Sequence, residues 1–388
     1  MAQPIGRHFL HVPGPTNVPD RILRAMSAPT IDHRGPEFAA LAAEVLAGLR
    51  PLFGTTGPVV VHPSSGTGAW EAALVNTLSP GDRVLAFETG HFAALWREMA
   101  EKLGLRVDFV PGDWRRGIDP EVVRERLAAD PDGEIRAVCA VHNETSTGVT
   151  SRIAEVRRAL DAVGHPALLL VDAISSLGSV DYRQDEWGVD VTIACSQKGL
   201  MLPPGLGFNA ISAKALRATE SAGLPRSYWD WRPQLAANER GFFPSTPATN
   251  LLYGLREALA LLDEEGLPAV YRRHLRHAAA TRAAVRGWGL EVLCLDEREH
   301  SPALTAVLLP DGFDADGFRR VVLERCNTSL GAGLGRLAGR VFRIGHLGHL
   351  NDAGLAGALS AVQLGLAAAG VPFDERGITA ALAALGEA

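Results

Sequence analysis

Two stretches decide the fold: Ala167-Leu-Leu-Leu-Val-Asp-Ala173 and Val191-Thr-Ile-Ala-Cys-Ser-Gln-Lys198. Each is an apolar run of strand length followed by a residue with chemistry, Asp172 in the first and Lys198 in the second. Neither run has a polar face. A strand with one face in water alternates polar and apolar residues, whereas a strand covered on both faces does not. Similar runs recur at 59–61, 83–87, 105–110, 135–141 and 206–211. Helical periods lie between them at 68–78, 92–103, 120–129 and 153–163. A further helix is expected from Pro36 to Phe53, where Phe38, Leu41, Val45, Leu46 and Leu49 keep the period and Pro36 suits a first turn. The alternation predicts an α/β fold with a mostly parallel, seven-stranded sheet sandwiched by helices. Ligands of such sheets sit beyond the carboxyl ends of the strands. Residues just after strands are therefore the first candidates for function.

Toward the C-terminus the pattern changes. A helix-rich stretch, 251–287, is followed by strand-like runs at 290–293, 304–309 and 341–344, with helices at 313–324 and 351–369. This reads as a smaller α+β C-terminal domain. The expected division is an N-terminal arm at 1–20, a large domain at 21–260 and a small domain at 261–388. The arm is expected to be extended, because Pro13-Gly-Pro15 and Pro19 interrupt any helix. Residues 353–373 carry no charge and are long enough to span a bilayer. They are rich in Ala and Gly, and Leu355, Leu359, Val362 and Leu366 fall at helical spacing, so a packed helix is expected instead.

The composition bounds the partners. The chain has 388 residues, 47% hydrophobic and 21% charged, enough for a large core without covalent staples. Its net charge of −6 argues against an electrostatic grip on nucleic acid or an anionic membrane. Cys139, Cys195, Cys294 and Cys326 form no Cys-x-x-Cys pair, so neither a disulfide framework nor a metal site is expected. The start, Met1-Ala-Gln-Pro-Ile-Gly-Arg-His8, lacks an apolar core of signal-peptide length, and a cytoplasmic location is expected.

Four motifs carry possible chemistry. Pro63-Ser-Ser-Gly-Thr-Gly-Ala-Trp-Glu71 follows a strand and opens a helix. Free backbone N–H groups and the hydroxyls of Ser64, Ser65 and Thr67 would make an anion site there; a plain Gly-rich turn is the alternative. Asp172 stands at a strand exit, where it suits a cation or a protonated ring nitrogen, or simply a turn. Lys198, among small and apolar residues, suits a nucleophilic amine, or a surface cap. Arg343, in Val341-Phe-Arg-Ile-Gly345, has the planar fork that binds a carboxylate, with Arg336 and Arg340 as neighbours of the same type. The set weighs more than its members. A phosphate cradle, an acid and an amine at strand ends of one domain are what pyridoxal phosphate requires. His142-Asn-Glu-Thr-Ser-Thr-Gly148, a polar run after another strand, is by itself only a loop.

Pro13-Gly-Pro-Thr16, Ser65-Gly-Thr-Gly68, His142 to Gly148, Val171-Asp-Ala-Ile-Ser-Ser176, Ser196-Gln-Lys198 and Val341-Phe-Arg-Ile-Gly345 together resemble the class V aminotransferases. Within them the likeness is greatest to the serine–glyoxylate and alanine–glyoxylate branch, and it runs from about residue 8 to residue 370. The resemblance implies a fold-type I transferase dependent on pyridoxal 5'-phosphate, working as a homodimer with interface active sites. It implies that Lys198 is the Schiff-base lysine and that Asp172 is the partner of the ring nitrogen. Ser65, Gly66, Thr67 and Gln197 are similar to the residues around the phosphate, and Phe92 to the ring stacked on the cofactor. Thr145 is similar to the residue near the phenolic oxygen, Ile174 to the apolar ring contact, and Thr246 to a residue given to the neighbouring subunit's phosphate. Arg343 resembles the substrate-carboxylate clamp. Three positions depart from some members: Thr67 replaces His, Phe92 replaces Trp, and Phe243 replaces a Tyr that reaches across the dimer.

The implied reaction moves an amino group from a small L-amino acid to glyoxylate, giving glycine and a 2-oxo acid. Serine is the first expected donor, from Ser227-Tyr-Trp-Asp-Trp231 and the run at Tyr253. Alanine and aspartate are alternatives. Aspartate would need a second cation, for which Arg34 is the candidate. More distant alternatives are a cysteine desulfurase-type lyase, with Cys326 as its thiol, and a non-catalytic protein that binds the cofactor. A nicotinamide dehydrogenase is weaker still, since the Gly-x-Gly-x-x-Gly fingerprint is missing after the first strand.

Overall fold

A computed structural model describes residues 6–386, so Met1 to Ile5 of the expected arm and start lie outside the described residues. The central sheet has seven strands in the order Val59–Ser64, Gly205–Ile211, Val191–Cys195, Leu168–Asp172, Ile135–Val141, Arg83–Phe87 and Arg106–Val110. Gly205–Ile211 runs antiparallel to both neighbours, and the remaining paired strands run parallel.

The unbroken apolar runs are explained by burial on both faces. Along Leu168–Asp172, Leu169 and Val171 point into one core, while Leu168 and Leu170 point into the other. The first core is covered by helices Pro36–Phe53, Pro120–Ala128, Ile153–Ala162 and Thr249–Glu265. The second is covered by Gly66–Thr77, His91–Lys102 and Ala213–Ser221, with the fully buried Trp231. A strand residue period of two thus places Leu168 to Val171 alternately in two apolar cores.

A second sheet has five strands in the order Phe9–His11, Thr328–Ala332, Val341–Gly345, Leu304–Leu308 and Glu291–Val292. Helices Leu267–Gly287, Ala315–Cys326, Asp352–Ala368 and Gly377–Gly386 pack on it through one apolar core. The uncharged segment 353–373 is part of this packing, with Leu355, Leu359, Val362 and Leu366 buried. Among the described residues no helix is long and apolar enough to cross a membrane.

Two strands of this second sheet had no signal in the sequence. Phe9–His11 pairs in parallel with Thr328–Leu330 and so ties the N-terminal segment to the far end of the chain. Thr328–Ala332 itself follows Asn327, which ends the preceding helix in the left-handed conformation. Residue 260 falls inside helix Thr249–Glu265, and the chain turns at Gly266, φ 80°, before the next helix.

Candidate active site

All of the sequence candidates on the central sheet come to one edge. Asp172 is the last residue of its strand, and it pairs with Val141, the last residue of one neighbouring strand, and with Ile193, midway along the other. Lys198 follows Val191–Cys195, and Ser65 follows Val59–Ser64. The antiparallel strand Gly205–Ile211 enters at the same edge, with Gly205 opposite Ser64. Between these ends lies a cavity of about 280 Å³. Ser65, Gly66, Thr67, Phe92, Thr145, Asp172, Ile174, Gln197 and Lys198 all line it.

Each wall has a local cause. Ser65 is the extended N-cap of helix Gly66–Thr77 and makes no side-chain capping bond, so the first N–H groups of the helix have no side-chain cap. A Cβ on Gly66 would stand 2.3 Å from Ile174 Cδ1, so only glycine lets the helix start approach that wall. Oε1 of Gln197 is buried without a hydrogen-bond partner. The open backbone donors at the helix start and the hydroxyls of Ser65 and Thr67 fit a phosphate, and Gln197 can donate to it only through its amide NH2, which leaves Oε1 for another donor.

The carboxylate of Asp172 is buried and doubly anchored. Its Oδ2 accepts from Trp70 Nε1 at 2.9 Å and its Oδ1 from the backbone N–H of Ile174 at 2.7 Å. Burial pushes its pKa up to about 7, the Ile174 bond opposes this, and the charge of Glu144 adds to it. A carboxylate kept this far from water is stabilised by any cation placed beside it, such as a protonated pyridine nitrogen.

Lys198 is also buried, at 7% exposure. Its Nζ donates to the carbonyl of Pro13. Burial draws its pKa down to about 8; Cys195 opposes the fall and Arg343 adds to it. The amine is thus far closer to its neutral, nucleophilic form at physiological pH than an exposed lysine. The N-terminal segment closes over it. Gly14, at φ 89°, lies so close that a Cβ would stand 2.4 Å from Lys198 Cδ. Thr16 bonds the backbone of both Gln197 and Lys198, at 3.2 Å each.

Arg343 does not line the cavity but stands behind it, 7% exposed. Its Nη1 donates to the carbonyl of Thr145 at 2.6 Å and its Nε to that of Ala332 at 2.7 Å. The first bond joins the second sheet to the cavity wall. Burial draws the guanidinium down to about 10, so it stays charged.

Two candidates lie elsewhere. Thr246 is exposed in the loop before helix Thr249–Glu265. Arg34 is exposed, and its backbone N–H bonds Asp32 Oδ1 at 2.9 Å. Phe243 packs edge-on against Phe38 within the chain, with ring centroids 5.9 Å apart. Cys326 ends helix Ala315–Cys326 against the core of the second sheet and does not line the cavity.

The structure adds residues to which the sequence reading gave no role. Trp70 anchors Asp172 and stacks on Trp96 at 5.9 Å. Gly14 and Pro15 line the cavity. Glu144, in the middle of the polar run after Ile135–Val141, is fully buried. A cluster of buried polar residues from His142 to Thr147 was the available signal, but burial is not visible in a polar sequence run.

The comparisons with known proteins agree with this geometry. The profile of the Aminotransferase class-V family matches residues 8–333. A serine–glyoxylate aminotransferase of Methylorubrum extorquens is 50% identical over 372 residues, covering 94% of this chain and 92% of the relative. An L-aspartate–glyoxylate aminotransferase of Paracoccus denitrificans is 45% identical over 366 residues, covering 94% and 92%. The crystal structure of pyridoxamine–pyruvate aminotransferase from Mesorhizobium loti superposes with a TM-score of 0.93 at 29% identity, covering 100% of this chain and 98% of that one. A phosphate cradle, a buried acid and a buried amine at one sheet edge, in a chain with these relatives, make pyridoxal phosphate the cofactor. The fold is that of the fold-type I transferases, and the chain belongs to the class V aminotransferases.

Proposed function

We propose that this enzyme moves the amino group of a small L-amino acid, serine first, to glyoxylate. The observation that carries the reading is the single cavity where Lys198, Asp172 and the phosphate cradle meet, with Arg343 bonded to its wall through Thr145. The serine–glyoxylate relative at 50% identity supports the donor and the acceptor. The L-aspartate–glyoxylate relative at 45% identity keeps aspartate as an alternative donor.

Bound pyridoxal phosphate supplies an electron sink and a carrier for the amino group. In this reading Ser65, Gly66, Thr67 and Gln197 would hold its phosphate, and the buried carboxylate of Asp172 would favour a proton on its ring nitrogen. Phe92 and Ile174 pack on the ring, and Thr145 lies near the phenolic oxygen. Lys198 binds the cofactor through Nζ, and once displaced by an amino acid it takes the α-proton as general base. Arg343 orients the substrate carboxylate. Two of its nitrogens already hold carbonyls, so its direction is set before a ligand arrives. Arg343→Ala is expected to raise KM for both amino acid and oxo acid by about 10²-fold, with kcat lowered less. Unchanged KM values would move the clamp to another residue.

We further propose a homodimer, supported by the exposure of Thr246 on a loop that a neighbouring subunit could accept. A cytoplasmic location fits the four free cysteines. Single-turnover spectra of the dimer test the function. The visible band of the lysine-bound cofactor should bleach with serine and return with glyoxylate, alongside glycine. Bleaching by aspartate alone would replace serine as the donor. Sulfide release from cysteine would favour the desulfurase alternative, and no band at all would favour a non-catalytic protein.

A further inference from the structure

Helix His91–Lys102 begins at the cavity, and its first three N–H groups have a shared fate. Glu144 accepts from Ala93 N at 3.1 Å and, at longer range, from Phe92 N at 3.4 Å. Ser146 Oγ accepts from His91 N at 2.9 Å and itself donates to Glu144 Oε1 at 2.6 Å. The same Oε1 takes the backbone N–H of Ser146 at 2.9 Å. A helix start that would otherwise attract an anion is therefore closed by a fully buried carboxylate of the chain itself. The fit is tight, since a Cβ on Gly90 would stand 2.4 Å from Glu144 Cγ.

What this clamp holds is the site. Phe92, the second residue of the helix, lines the cavity. Thr145, between Glu144 and Ser146, lines it too, and its carbonyl is the acceptor for Arg343 Nη1. Burial disfavours the charge on Arg343, Glu144 is the carboxylate whose field opposes that loss, and Arg319 works against it. No ion pair joins Glu144 to a cation directly among the described residues. Its charge is met by N–H and O–H donors and acts on Arg343 across the Thr145 peptide.

We propose that Glu144 is a positioning residue for substrate binding: it fixes Phe92 and Thr145 relative to each other and supplies the counter-charge to Arg343. The inference rests on the reading of Arg343 as the carboxylate-binding cation. Glu144→Gln keeps the size but loses the charge, and its NH2 cannot accept from the helix N–H groups that the carboxylate now satisfies. Glu144→Asp keeps the charge with a shorter reach.

The test uses the cofactor-loaded enzyme and two readouts, steady-state kinetics and calorimetric binding of propionate, which has the carboxylate but no amine to react. Glu144→Gln is expected to weaken propionate binding and raise KM for serine and glyoxylate by about tenfold, with kcat changed less. Glu144→Asp is expected to recover propionate binding to within about threefold of the parent enzyme. Propionate binding and KM unchanged in Glu144→Gln would overturn the inference, and so would equal losses in the two variants, which would reduce Glu144 to packing. If Arg343→Ala also leaves propionate binding unchanged, the reading of Arg343 itself fails. Should Glu144→Gln not fold, Ser146→Ala loosens the same clamp, and an unchanged KM there would overturn the inference equally.

Discussion

Lys198→Ala should abolish transamination, with a loss of at least about 10⁴-fold in kcat/KM, because in the proposed reaction one atom serves as both attachment point and general base. The visible band of the lysine-bound cofactor should vanish with it. Retention of that band, or of amino transfer above about 1% of the parent rate, would remove Lys198 from the mechanism. The same amine makes a pH prediction. Burial draws its pKa from 10.5 to about 8, so the neutral fraction rises through pH 8. The rate at which the cofactor-free protein captures pyridoxal phosphate should therefore climb with pH and reach half its plateau near 8. A midpoint near 10.5 would mean that the amine is as solvated as an exposed lysine. In the cofactor-free protein the unfolded chain binds more protons than the folded one between pH 8 and 10.5 at this site, so its contribution to stability rises with pH across that window.

Asp172→Asn should lower kcat by about 10²–10³-fold, the scale expected when one aligned charge at a reacting centre is removed. Cofactor should still bind, because the phosphate cradle is intact. The folded structure also gives this variant a stability signature. The pKa of Asp172 is raised by burial from 3.8 to about 7, so the folded chain binds more protons than the unfolded chain between those values. Stability contributed at this site is full below about pH 4 and is lost as pH rises through 7. The whole span corresponds to roughly 4 kcal/mol. In the cofactor-free protein, Asp172→Asn should flatten this part of the pH–stability curve. The amide cannot accept from both Trp70 and Ile174 as the carboxylate does, so a small uniform loss is expected as well. Urea unfolding at pH 5 and pH 8 measures both effects. Equal slopes in the two proteins would show that Asp172 is not a strained buried acid.

The two proteins in these predictions differ at positions that were already legible. Asp172 and Lys198 end apolar runs, and the strand bounds Arg83–Phe87, Ile135–Val141 and Val191–Cys195 are the ones the pattern indicates. The reason is that burial on both faces leaves a continuous apolar signal, and polar residues at its end have few places to go. The family likeness then connected motifs that local patterning leaves separate. Trp70 illustrates the limit. It sits in the quoted Gly-rich motif, yet nothing in that motif shows that its indole N–H reaches Asp172 in another strand.

By itself, the amino-acid order determined the α/β alternation, the strand-end placement of Asp172, Lys198 and the Gly-rich helix start at Ser65, and the packed nature of segment 353–373. These are properties of neighbours in the chain, set by periodicity, turn chemistry and the burial of apolar runs. Only the tertiary structure decided that Phe9–His11 joins the sheet of residues 328–330, that Gly14 backs onto Lys198, and that Arg343 reaches Thr145. It also decided that Glu144 closes a helix start instead of lying in a solvated loop. Each of these joins residues far apart in sequence. Such contacts depend on strand register and on the packing of one sheet against the other, and no local preference encodes either.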